Sequence, residues 1–202
     1  MDDTSENRSI RNNSVAAVIL AAGLGERFEG DTHKLLSPFR GKPVLQWVLE
    51  AASNAQFDEI YLVSGAIDFE KETSLNVFDY GVTIVENHSY EDGQATSLRS
   101  AIAVADHHKH EAIVVGLGDM PLVPSSAWSA VAQAETILAV ATFSGNRRPP
   151  MKIHHELWSL IPISGDEGAR SLLRLRPDLV HEVPCDGNPV DEICTPANLT
   201  ET

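Results

Sequence analysis

The chain has 202 residues, 43% of them hydrophobic, a formal net charge of −14 and two cysteines. That length and apolar content suit one globular domain with a real core. The acidic balance excludes a general nucleic-acid binder, which needs clustered Lys and Arg to displace counterions. Cys185 and Cys194 are too few for a disulfide framework. The longest apolar stretch, Val15 to Ala22, is far shorter than a membrane span, so a cytoplasmic protein without a membrane partner is expected.

Residues 1–13 are polar and read as a disordered tail, followed by a single domain over residues 14–202. Val15 to Leu20 reads as a buried strand and a glycine-rich loop follows it. Helical spacing of apolar residues from Val44 to Ala52 follows Pro43, a residue suited to a first helical turn. Ile60 to Val63 and Val82 to Val85 read as strands, and Ala95 to Ala105 as a helix. Ala112 to Val115, running into Gly118, is the most apolar strand. Ser125 or Ser126 is a candidate cap for a helix reaching about Ala134. Ile137 to Phe143 is another strand, and Gly145 to Pro150 reads as a turn. Two short helices (Glu156 to Leu160, Ala169 to Arg174), a late strand (Leu179 to Val183) and a helical turn opened by Thr195-Pro196 complete the chain. Strands alternating with helices predict an α/β architecture with a mainly parallel sheet.

The densest chemistry is Leu20-Ala21-Ala22-Gly23-Leu24-Gly25-Glu26-Arg27, with Lys34 beyond it. Small residues there let backbone N–H groups approach a ligand and cradle phosphate oxygens. Arg27 and Lys34 supply charge to a triphosphate and its leaving group. A dinucleotide fingerprint is excluded because Phe28 stands at its last glycine, and no Gly-Lys-Ser/Thr occurs for a Walker loop. Asp119 follows the most apolar strand and would emerge at the same sheet edge as the loop. Mg²⁺ prefers oxygen ligands and binds through one or two carboxylates plus substrate phosphates, so Asp119 is the first candidate ligand. Asp191 or Glu192 is the candidate second carboxylate.

Together these motifs resemble the nucleotidyltransferases of molybdenum-cofactor biosynthesis. The resemblance rests on Leu20-Ala-Ala-Gly-x-Gly-x-Arg27, Lys34-Leu-Leu, Gly41-Lys-Pro43, Gly93 to Leu98, Gly118-Asp-Met-Pro121, Gly165 to Arg170 and Thr195 to Leu199. The stretch Gly165-Asp-Glu-Gly-Ala-Arg170 and the second alanine at Ala22 look like the cytidylyltransferase branch. The resemblance implies the Rossmann-like nucleotidyltransferase fold (that of the nucleotide-diphospho-sugar transferases), a mostly parallel mixed sheet flanked by helices. It also implies an enzyme that moves CMP from CTP to a molybdopterin-type phosphate, with Mg²⁺ as cofactor and Mn²⁺ able to substitute. Gly93 and Ser97 would meet the base, Glu192 would join Asp119 on the metal, and a molybdoenzyme would be the client. Where that family reads Asp-Ile-Asp-Thr-Pro, this chain reads Glu192-Ile193-Cys194-Thr195-Pro196. Two alternatives stay open: another phosphorylated acceptor, such as a sugar or alcohol phosphate, or an accessory nucleotide-binding protein without turnover.

Other signals are set aside. His107, His108 and His110 read as a solvated helix end, since no Cys or acidic neighbour has zinc spacing. His154-His155 reads as surface, the cysteines as inert thiols, and the three tryptophans as core. Arg174 and Arg176 read as helix-end charges, whereas Arg170 is a candidate for an acceptor phosphate.

Overall fold

In the computed structural model, residues 12–25, 28, 32–72, 74–187 and 193–199 are described. Nine strands and four α-helices alternate among them. β1 (Asn12–Leu20), β4 (Glu59–Ser64), β5 (Val82–Glu86), β6 (His110–Leu117), β7 (Leu138–Phe143), β8 (Asn146–His154) and β9 (Val180–Pro184) form a seven-stranded sheet in the order β5-β4-β1-β6-β8-β7-β9. β5, β4, β1 and β6 are mutually parallel, β8 runs antiparallel between β6 and β7, and β9 pairs parallel with β7. A small hairpin of β2 (Pro38–Phe39) and β3 (Lys42–Pro43) stands apart. This is the expected α/β fold with a mostly parallel mixed sheet.

The central strands are apolar because both faces are covered: Ala16 to Ile19 and Ile113 to Val114 are fully buried. α1 (Val44–Asn54) buries Val44, Leu45, Val48, Leu49 and Ala52, a spacing that puts them on one stripe. α2 (Gln94–His107) lies across β1, β4, β5 and β6, and α3 (Ser125–Gln133) packs beside α1 and against β8. α4 (Arg170–Leu175) is short. Lys152 of β8 reaches under α3 and donates to the carbonyls of Ala132 and Ala134 at 2.9 and 2.7 Å, satisfying groups the helix end leaves open. Burial lowers the Lys152 pKa.

Gly116 is required by a close approach. A Cβ there would lie 2.3 Å from the ring of Trp128, which α3 presses onto β6 in a fully buried position. Gly116→Ala therefore overpacks a rigid core and is expected to destabilise the fold by about 1–3 kcal/mol or more. An unchanged urea midpoint would show that this contact relaxes freely.

Several expectations are corrected. β1 begins at Asn12, inside the range read as a tail, where Asn12 pairs with His110; residues 1–11 lie outside the described residues. The expected turn at Gly145 to Pro150 is instead mostly strand β8. Its two prolines fall at a register shift, where Val140 faces Met151 and Ala141 faces Arg148, so they are spared ladder duty. Neither Ser125 nor Ser126 caps α3, because the cap position is Pro124. Pro43 likewise stands at the cap of α1, not in its first turn. Glu156 to Leu160 lies in a 3₁₀ turn, His155–Leu160. His110 is not part of a solvated helix end: it opens β6 and is buried.

Candidate active site

Parallel register decides what meets at the carboxyl edge of the sheet. Leu20 pairs with Val63 on one side and Leu117 on the other, so the glycine loop, Gly65 and Gly118-Asp119 emerge side by side. The loop is strapped to both neighbours. Ala21 N–H donates to the Val63 carbonyl at 3.0 Å, Ala66 N–H to Ala22 at 3.0 Å, and Gly118 N–H to Leu20 at 2.9 Å. Gly25 takes φ of 70°, a left-handed value suited to glycine. These elements bound a cleft of about 970 Å³.

The cleft gathers most of the expected residues. Leu20, Ala21, Ala22, Gly23, Gly25, Lys34, Gly93, Ser97 and Asp119 all line it. Arg27 and Glu192, with Asp191, lie outside the described residues. At the floor, Lys34 Nζ donates to Asp119 Oδ2 at 2.5 Å, with both side chains mostly buried. The two groups that the sequence placed in separate roles therefore form one ion pair. Ile193 N–H donates to the Asp119 carbonyl at 2.9 Å, which brings Cys194 to the cleft wall. Asn198 Oδ1 holds that segment by accepting from the N–H groups of Cys194 and Thr195 and from the Thr195 hydroxyl.

Three organising residues were not found from the sequence. Asn87, after β5, donates through its amide to Thr96 Oγ1 and Ser97 Oγ, both at 2.9 Å, and so sets the first turn of α2. Its only sequence signal was an Asn after a strand, which reads as a turn residue. Gly65 permits the approach of Tyr90, because a Cβ there would sit 2.8 Å from the Tyr90 ring and 2.7 Å from the Ala22 carbonyl. His33 clips the glycine loop: Nε2 meets the Gly23 carbonyl at 2.9 Å while Nδ1 accepts from Leu35 N–H at 3.2 Å. Both bonds together require the neutral ring with its proton on Nε2.

Burial, aided by the nearby Lys34 charge, lowers the His33 pKa below the ordinary imidazole value. Between that lowered value and about 6.5, the unfolded chain binds more protons than the native one, so stability rises with pH. The contribution is complete above about pH 6.5 and is lost as pH falls through the folded value. Melting temperature is expected to fall on acidification, and less steeply in His33→Gln; equal slopes would remove His33 as a source.

Beyond the cleft, α4 and β6–β8 enclose an apolar pocket of about 100 Å³ walled by Val115, Val140, Met151 and Leu173. It shares Leu20, Gln94, Leu117 and Arg170 with the cleft, and Arg147 and Arg148 also line it. Arg174 and Arg176 pair instead with Glu167 and Asp178. Cys185 is half-buried, and burial pushes its thiol pKa up, away from reactivity. No helix among the described residues is long and apolar enough to cross a membrane.

Comparison with known proteins places this architecture. The chain is 32% identical over 163 residues to the bifunctional protein GlmU of Zymomonas mobilis, covering 81% of this chain and 30% of that protein, so it spans less than a third of that relative. It is 30% identical over 189 residues to nicotine blue oxidoreductase of Paenarthrobacter nicotinovorans, covering 88% of this chain and 90% of that protein. Its fold matches the crystal structure of Rv0371c from Mycobacterium tuberculosis at a TM-score of 0.80 and 27% identity, over 96% of this chain and all of that one. Rv0371c has also been solved in complex with manganese. The model of the MobA-like NTP transferase domain matches residues 17–183, and the chain belongs to that family.

Proposed function

We propose that the chain moves CMP from CTP to a molybdopterin-type phosphate, in the cytoplasm, with release of pyrophosphate. The observation that carries this reading is the joining of two differently built spaces. A polar cleft holding the Lys34–Asp119 pair shares Leu20, Gln94, Leu117 and Arg170 with a small apolar pocket bearing three arginines. The first suits a nucleoside triphosphate; the second suits an acceptor with a flat apolar body and an anionic group. The likeness of Leu20 to Gly23, Gly93 and Ser97 to the cytidylyltransferase branch supports cytosine as the base.

An acceptor phosphate oxygen attacks the α-phosphorus, forming a new P–O bond as the α–β bridging bond breaks and pyrophosphate leaves. Backbone groups of Leu20, Ala21, Ala22, Gly23 and Gly25 position the phosphates, and Lys34 with Arg27 neutralises charge on the leaving group. The donor chemistry of Asp119 fits a hard divalent cation: Oδ2 meets Lys34, and no described residue bonds Oδ1. Asp119, with Glu192, would hold Mg²⁺ or Mn²⁺, which supplies positive charge to phosphate oxygens. A molybdoenzyme would receive the product.

Cys194 favours a second reading, since a soft thiol lines the cleft where the resemblance calls for a carboxylate. In that reading the chain binds CTP without turnover as an accessory protein of molybdoenzyme maturation. The deciding assay supplies CTP, Mg²⁺ and molybdopterin and measures pyrophosphate. One pyrophosphate per dinucleotide supports transfer. Turnover only in Cys194→Asp supports the accessory reading. Turnover with a sugar or alcohol phosphate alone would keep the chemistry and reject the acceptor. The likeness to nicotine blue oxidoreductase raises the contrary class, a redox reaction, which would release none.

A further inference from the structure

At the opposite edge of the sheet from the cleft, two chain segments bring a different set of groups together. Glu59 opens β4, His108 lies in the turn between α2 and β6, and His110 opens β6. One ligand atom from each lies within 4.8 Å of the others. His108 Nδ1 is 2.9 Å from Glu59 Oε2, and His110 Nε2 is 3.7 Å from the same oxygen. A tetrahedral zinc site with bonds near 2.0–2.1 Å separates its donors by about 3.3 Å, so small adjustments would bring all three onto one ion.

We propose that Glu59, His108 and His110 form a cation site for a borderline divalent metal of the Zn²⁺ class. Two imidazoles and one carboxylate suit Zn²⁺, Co²⁺ or Ni²⁺ and are poor ligands for Mg²⁺. The surroundings are those of a metal site. His110 is only 3% exposed, and its far nitrogen, Nδ1, meets Ser14 Oγ at 2.8 Å. That bond directs Nε2 toward the cluster, as the second hydrogen bond of a ligating histidine does. The hydroxyl of the fully buried Tyr61 donates to Glu59 Oε2 at 2.5 Å and also lies 3.0 Å from His110 Nε2 and 3.2 Å from His108 Nδ1. It therefore stands beside all three donors, and a bound ion would displace it or take it as a further oxygen neighbour. Glu59 and His108 are about two-fifths exposed, 38% and 41%, which leaves a path for entry and a face for water. The sheet makes the site: Ser14, Tyr61 and His110 sit on the neighbouring strands β1, β4 and β6. A bound ion would tie those three strands together and raise stability by mass action.

Without metal the same atoms satisfy one another as a hydrogen-bonded network, so binding must be measured. The full chain is used as the double variant Asp119→Asn, Cys194→Ser, which silences the cleft, and is titrated with Zn²⁺ by calorimetry and with Co²⁺ by absorbance. One equivalent of Zn²⁺ is expected, with visible bands from low-coordinate Co²⁺ and no competition from millimolar Mg²⁺. His108→Ala in that background should weaken binding by at least ~10-fold, and Ser14→Ala should weaken it ~10-fold, the loss typical of an outer-shell partner. His155→Ala, which alters the separate pair His154-His155, should leave it unchanged. Zn²⁺ should raise the melting temperature of the native chain and not of His108→Ala. Absence of the equivalent, binding indifferent to His108→Ala and Ser14→Ala, or binding lost in His155→Ala would each overturn the proposal.

Discussion

Asp119→Asn is expected to retain the fold and lose transfer, with turnover at least ~100-fold below the native rate, the scale of losing one charge stabiliser. Asparagine keeps the volume and one acceptor oxygen but removes the negative charge that faces Lys34 at 2.5 Å. It therefore tests charge and not packing. Lys34→Ala should slow the reaction by a similar factor. Because the two side chains touch, their effects should not add: the double variant should be little slower than the worse single one. Full activity in Asp119→Asn would remove this carboxylate from the chemistry. Fully additive losses would mean that the ion pair is incidental.

The second large effect separates two glycines of one cleft. A Cβ on Gly23 would meet no described atom within 4 Å, and Gly23 is not in the left-handed region. Gly23→Ala should therefore leave stability unchanged or raise it by about 0.4–1 kcal/mol, through the unfolded chain. It should nonetheless weaken nucleotide binding at least ~10-fold, because a methyl group occupies the space through which backbone N–H groups approach phosphate. Gly93 is the contrary case. Its φ is 102°, and a Cβ would lie 2.5 Å from the backbone carbon of Gly165. Gly93→Ala should lower the melting temperature and damage binding together. Calorimetry and thermal unfolding on both variants check this, and a destabilised Gly23→Ala that still binds nucleotide would reverse the reading of the loop.

The contrast shows what the sequence carried. Glycines 23 and 25 were legible as a ligand loop because they follow a buried strand, but which of them serves the chain and which serves the ligand needed coordinates. The parallel strands were legible as apolar runs, since burial on both faces removes alternation. β8 was not, because Arg147 to Pro150 carries charges and prolines that a turn also uses; only pairing on both sides shows that the bulge accommodates the prolines. Lys34 and Asp119 were each legible as charged residues beside expected ligand elements. Their contact spans 85 positions and follows from β1 lying next to β6. Asn87 and His33 each act through a few short-range bonds and leave no periodic trace. His110 was misread because the polar run from His107 to Lys109 continues into the first residue of a strand. Its burial comes from β1 and β4, which are distant in sequence.

The cleft's proposed identity as a CTP–metal site is tested most directly by titrating the purified chain with CTP and with GTP, each with and without Mg²⁺ or Mn²⁺, by calorimetry. The account predicts metal-dependent binding of CTP, at least ~10-fold tighter than GTP, the discrimination one or two base contacts supply. Preference for GTP, or no binding of either nucleotide with metal present, would contradict it.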